Sequence, residues 1–337
     1  MIRAFPASGP NGAVALTRMG TPSMNITLHI GAHRTATTTF QHYLGTRTDM
    51  LTQQSALLWG PGRTRKGLIN GLYHAAPQGW KARKDARKAR GRVRLQVRQA
   101  AMSGIEHLIV SDENMIGSTW QCIRSGRLYP SIGERLARLG DAFGQDINRV
   151  VLSIRSQELW WASAMAYAVS RGHPVPSGQT MTKIADDTRS WRDVITDVSC
   201  AIPDADLRVI TFEEFAGQPH QTLAVAADVD APLDPTVPWL NRSPDRRALR
   251  ILLQERGEDV DLIPDGVGRW QPFTDAQAAC LREQYADDLH WLIAGADGLA
   301  TLIQDPARIE TGTSLQVGAL TEGHGNDNGQ ERLARPG

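Results

Sequence analysis

Leu28-His29-Ile30-Gly31-Ala32-His33-Arg34-Thr35-Ala36-Thr37-Thr38-Thr39-Phe40-Gln41 is the stretch on which the fold turns. Ile26, Leu28 and Ile30 alternate with polar residues, as in a β-strand over 25–30. Gly31 ends that run, a short polar turn follows, and a helical pattern occupies 37–44. A strand that passes through a cationic loop into a helix can hold an anion. The first N–H groups of the helix lack partners, and the helix dipole is positive at that end. Arg34 adds a permanent charge, and Thr35, Thr37, Thr38 and Thr39 add hydroxyl donors. The pattern GxxxxGK[ST] is absent, so the loop is not a Walker A motif. On composition alone, an anion site and an ordinary helix start beside a surface arginine fit equally well.

Outward from this stretch, three further short apolar runs read as strands: 107–110, 149–154 and 207–212. They are nearly continuous in apolar character and separated by helical stretches, which predicts a parallel sheet covered by helices on both faces. Each run ends in polar or charged residues. In open α/β sheets, ligands bind beyond the carboxyl ends of the strands, so Arg34, Glu113 and Arg155 are expected on one edge.

Arg34-Thr35-Ala36-Thr37-Thr38 resembles the 5′-phosphosulfate loop of PAPS-dependent sulfotransferases, in which a strand leads into lysine, serine or threonine, glycine, threonine, threonine. Here arginine replaces the lysine and Ala36 replaces the glycine. Alanine suits that place only where its φ is negative. The second segment of the resemblance is Val151-Leu152-Ser153-Ile154-Arg155 followed by Ser163, which is similar to the family's pair for the 3′-phosphate. Thr211-Phe212-Glu213-Glu214-Phe215 resembles a segment whose aromatic lies near adenine. Gly266-Val267-Gly268-Arg269-Trp270 with Phe273-Thr274 resembles the C-terminal cofactor loop. The basic pair expected before that loop is Pro264-Asp265 here, leaving Arg242 or Arg269 to supply the contact. Ser111-Asp112-Glu113 resembles a Ser-x-Glu of bacterial members. The resemblance runs from 25 to about 305, and 45–105 carries no recognisable motif.

The resemblance implies a P-loop-type three-layer α/β sandwich over 24–310, with PAPS as co-substrate, PAP as product and no metal. Its cofactor contacts would be Arg34, Thr35, Ala36, Thr37, Thr38, Thr39, Arg155, Ser163 and Phe212. Arg34 would neutralise the leaving phosphate, and Glu113 is the expected base for a hydroxyl acceptor, with His33 and His74 as rivals. For Glu113, base and turn cap are equally open. A non-catalytic PAP or PAPS binder is the alternative function; a P-loop kinase lacks its Walker lysine here.

Composition sets the remaining bounds. Hydrophobic residues make up 41% and charged residues 22% of 337, ordinary globular usage that excludes a chain disordered throughout. No apolar run suits a membrane span. With Lys+Arg 37 against Asp+Glu 36, overall charge points to neither nucleic acid nor membrane. Cys122, Cys200 and Cys280 are sparse and lack CxxC spacing, which excludes a disulfide framework or zinc site and suits the reducing cytoplasm. Residues 1–23 read as a disordered extension without a signal peptide, with Met24 as the expected start, and 311–337 as a disordered tail. Lys81, Arg83, Lys84, Arg87, Lys88, Arg90, Arg92, Arg94 and Arg98 recur at helical spacing, opposed only by Asp85. A solvated helix is the plain reading. An acidic acceptor, such as a uronate-bearing or sulfated glycan, is the sharper one, and nucleic acid is a third.

Overall fold

The structure, a computed structural model, describes residues 24–73, 79–144, 146–227, 229 and 231–304. The expected extension 1–23, the tail 311–337, the domain end at 310 and His74 lie outside the described residues. Six strands form one sheet: β1 Asn25–His29, β2 Ala56–Trp59, β3 His107–Ser111, β4 Ile147–Ile154, β5 Asp206–Thr211 and β6 Thr301–Leu302. Their order is β2-β3-β1-β4-β5-β6 and every neighbouring pair is parallel. With helices on both faces this is a three-layer α/β sandwich.

The pleat explains why the strands are apolar throughout. Ile26 and Leu28 of β1, Leu108 and Val110 of β3, and Val150, Leu152 and Ile154 of β4 enter one core. The alternate residues Ile109, Val151 and Ile210 enter the other. The larger core is closed by the helices Gly79–Met102, Ile132–Phe143, Gln157–Ser170, Trp191–Ala201 and Asp275–Ile293. The smaller is closed by Thr37–Gly45 and Pro219–Ala226. A strand buried on both faces has no polar side to expose, so alternation is muted in the sequence.

After β1 the chain builds β2 and β3 on one side, then crosses to β4 on the other. β1 is therefore flanked by strands laid down in opposite directions, which makes its carboxyl end the switch point where such sheets take ligands. No helix among the described residues is long and apolar enough to cross a membrane. Cys122, Cys200 and Cys280 are all unpaired thiols.

Candidate anion and acceptor site

The loop after β1 enters the helix Thr37–Gly45 through two non-glycine residues with left-handed backbone, Arg34 at φ 64° and Ala36 at φ 63°. Ala36 thus adopts the conformation that a glycine would take without strain. The condition set for alanine at this place, a negative φ, is not met. A left-handed alanine costs on the order of 1 kcal/mol. Gly31, at φ 94°, has a clearer reason: a Cβ there would lie 2.9 Å from Glu113 Cβ. The Thr37–Gly45 helix has no side-chain cap and no acidic residue in its first turn, so its N-terminal N–H groups keep their positive field. The Thr35 hydroxyl donates to the Ala32 carbonyl at 2.7 Å and braces the loop from inside.

Arg34 is half-buried and makes no ion pair among the described residues. Its Nε donates to Ser163 Oγ at 3.1 Å, and its Nη2 donates to Ser243 Oγ at 2.9 Å and to the Asn241 carbonyl at 2.6 Å. Its guanidinium stacks 4.7 Å from the Tyr167 ring centroid. Burial lowers its pKa, and Arg171 adds to this. Arg155, 4% exposed, donates from Nη1 to the Arg34 carbonyl at 3.0 Å and lies 4.1 Å over the Phe212 ring. Its Nε is buried without a partner. Burial, with Arg269 and Arg34 nearby, pushes its pKa down to about 10. Arg242 in turn lies close enough to Arg269 to depress it, after burial. Glu213, the carboxylate whose charge opposes this, accepts from the Ser156 N–H at 3.1 Å and the Tyr285 hydroxyl at 3.0 Å. Arg34, Arg155, Ser163 and Phe212 thus come together. The side chain bonded to Ser163 is Arg34, however, whereas the sequence pattern pairs Arg155 with that serine.

Two buried indoles fix the backbone of this cluster. Trp160 Nε1 donates to the His33 carbonyl at 2.7 Å, and Trp191 Nε1 donates to the Arg155 carbonyl at 2.7 Å. Both rings pack in the larger core and spend their one polar group on the site. They were not among the expected residues; the sequence signal was the aromatic pair Trp160-Trp161 one turn after Arg155 and a single tryptophan, Trp191, opening the helix that follows Ser190.

A segment between 231 and 245 was also missed, apart from Arg242. It crosses the loop after β1. Asn241 Nδ2 donates to Thr38 Oγ1 at 3.0 Å, the Leu240 N–H donates to Thr39 Oγ1 at 3.1 Å, and Ser243 Oγ lies 2.6 Å from Ser163 Oγ. Tyr43 holds the Pro232 carbonyl at 2.7 Å, and Arg47 pairs with Asp234. The strap therefore engages the same hydroxyls and guanidinium that the loop offers to an anion. Only the small polar run Asn241-Arg242-Ser243 marked it in the sequence.

On the other side of the loop lies a carboxylate pair. Glu113 Oε2 accepts from Gln41 Nε2 at 3.0 Å, and Oε1 accepts from Arg65 Nη2 at 2.9 Å. Burial pushes the Glu113 carboxyl up, but His33, Arg65 and hydrogen bonds outweigh it and hold it below the usual range. Asp112 is fully buried. It accepts from Thr64 Oγ1 at 2.5 Å, Tyr73 at 2.6 Å, Arg65 Nη2 at 2.7 Å and the Asn114 N–H at 3.0 Å. The turn cap is thus Asp112 rather than Glu113. His33 is buried and bonded on both ring nitrogens, to Tyr129 at 3.1 Å and Asn114 at 3.1 Å, and burial lowers its pKa. With both ring nitrogens engaged, it has no lone pair to offer an acceptor.

No family model matches the chain, and neither a curated protein nor a solved structure matches it.

Proposed function

We propose that this protein is a PAPS-dependent sulfotransferase that acts on a hydroxyl acceptor. The observation that carries the reading is the arginine cluster at the carboxyl end of β1. Arg34, Arg155, Arg242 and Arg269 form no ion pair among the described residues, and Arg155 is buried with an unpartnered Nε. A buried charge without a direct ion pair is costly. An anionic ligand with more than one phosphate removes that cost. The uncapped helix at Thr37 and the hydroxyl of Thr38, which accepts from Asn241 and keeps its own hydrogen to give, add donors beside it.

PAPS, when bound, supplies an activated sulfuryl group carried on a phosphate leaving group. Arg34 and the helix start neutralise charge at that phosphate. Arg155 and Arg269 hold the second phosphate, and Phe212 borders the base. Glu113 takes the acceptor's proton on a carboxylate oxygen, with Gln41 and Arg65 fixing its orientation. Such a transfer depends on positioning and charge stabilisation rather than on covalent help from the protein. The three unpaired thiols suit a cytoplasmic enzyme.

A second reading, PAP or PAPS binding without transfer, is favoured by one feature. Glu113 is clamped by Arg65 and Gln41 and held below the usual carboxylate range, which makes it a weaker base. Calorimetric titration with PAP and with ATP, followed by an acceptor screen with PAPS, separates the readings. The transfer reading predicts tight PAP binding, weak ATP binding and sulfated product. PAP binding without product under any acceptor favours the second reading, and preference for ATP overturns both.

A further inference from the structure

The Gly79–Met102 helix carries nine basic residues and one acidic residue, a charge of +8 in a chain of net charge +1. The rest of the molecule therefore carries −7, and the positive charge is concentrated on one element. Part of it is spent internally. Arg90 and Arg94 pair with Asp141, and Arg92 donates to the Asn70 carbonyl at 2.9 Å. Ala86, Ala89, Val93 and Ala100 face the core. Lys81, Arg83, Lys84, Arg87 and Lys88 are exposed and make no ion pair among the described residues. These five lie in the N-terminal half.

That half is also the half nearest the site. The helix ends where β3 begins, so it runs back along the sheet from the carboxyl edge to the amino edge. Its 24 residues span about 36 Å, against about 17 Å for the 5 residues of β3. The surplus projects past the edge that carries Glu113. A close contact fixes the level: a Cβ on Gly71, just after the turn that presents Arg65, would lie 2.9 Å from the Asp85 carbonyl oxygen. Lys81, Arg83 and Lys84 sit beyond that contact. Among them Trp80 is 74% exposed, with Lys84 Nζ 5.4 Å from its ring centroid.

We infer that the N-terminal end of the Gly79–Met102 helix docks an acidic oligosaccharide, delivering one of its hydroxyls to Glu113. The inference rests on the transfer reading above for the hydroxyl's fate, but not for the docking itself. A uronate-bearing or sulfated sugar chain alternates anions with hydroxyls, matching a cationic helix end beside a carboxylate. The exposed indole offers an apolar ring face to the C–H face of a sugar. A long duplex would run from this helix onto a body of net charge −7, which repels it. An anionic bilayer would need an apolar stripe beside the charges, and the exposed Leu95 and Met102 lie toward the opposite end.

The test is fluorescence anisotropy on the full chain with three labelled probes: a heparin oligosaccharide, a hyaluronan oligosaccharide and single-stranded DNA of matched charge. The parent should bind both sugars more tightly than the DNA, and more weakly as salt rises. The triple variant K81S/R83S/K84S should lose about tenfold or more in sugar affinity, while Arg98→Ser, at the far end, should leave it unchanged. Arg83→Glu alone should weaken binding too, which serves if the triple variant folds poorly. Equal affinity in parent and triple variant, an equal loss at Arg98→Ser, or tighter binding of DNA would overturn the inference. PAP calorimetry on the same samples separates the two proposals. Sugar binding lost in the triple variant while no sample binds PAP leaves the docking surface and removes the transferase. PAP binding in every sample, with sugar affinity the same in parent and triple variant, does the reverse.

Discussion

Ala36 shows how a single residue sets the cost of the loop. Its left-handed backbone strains a Cβ, and glycine removes that strain while losing some unfolded-state restriction. Ala36→Gly is therefore expected to leave stability unchanged or raise it by up to about 1 kcal/mol. Ala162→Gly, in the buried interior of Gln157–Ser170, should cost about 1 kcal/mol or more. Thermal melts of the two variants check this; equal losses would mean that Ala36 is not strained. His29 sets an acid limit. It is buried on β1, with Nδ1 2.8 Å from Ser111 Oγ, and burial lowers its pKa to about 4. The unfolded chain takes up that proton near pH 6.5 and the folded one resists it. Stability is thus intact above about pH 6.5 and lost as pH falls toward 4, by about 3 kcal/mol. His29→Gln should flatten the fall in urea midpoint between pH 7 and pH 4.5, leaving the share due to His33. An unchanged fall would place the titration elsewhere. Neither effect was legible in the sequence, because φ and burial are set by the tertiary packing around the residue.

The strands that were legible are those whose apolar runs are long and bounded. β1, β3, β4 and β5 match the expected runs within one or two residues. β2, Ala56–Trp59, was missed because four residues rich in leucine fit a helix equally well, and β6 has only two residues. The same difference divides the site. Arg155 directly follows its strand, Glu113 and Arg34 lie two and five residues beyond theirs, and all three could be placed from topology. The strap across the loop and Arg65 reach the site through folding of segments with no motif, and Gln41 through the helix that follows the loop. Neighbouring carboxylates at the end of β3 now have separable roles. Glu113→Gln should lower kcat by about 10² to 10⁴ with PAP affinity kept. Asp112→Asn leaves a buried hub of donors mismatched and should cost about 1–3 kcal/mol of stability. Chemical denaturation with single-turnover assays checks both. Normal turnover in folded Glu113→Gln would remove the carboxylate from the chemistry.

Across the whole molecule, sheet order, charge and burial converge on one edge. The switch at β1 brings the loop of Arg34, the end of β4 with Arg155 and the end of β3 with Glu113 into one site, and two core indoles lock its backbone. The helix Gly79–Met102 carries the molecule's excess positive charge toward the same edge. This convergence was partly visible beforehand, since parallel strands must present their carboxyl ends together, whereas the sharing of Ser163 by Arg34 required the folded chain. The central claim is that the arginine cluster holds a nucleotide with phosphates at both ends of its ribose. The most direct measurement is calorimetry of PAP against AMP with the parent and with Arg155→Ala. The parent should bind PAP far more tightly than AMP, and Arg155→Ala should lose about 1.5–3 kcal/mol with PAP while changing little with AMP. Equal affinity of the parent for PAP and AMP would contradict the account.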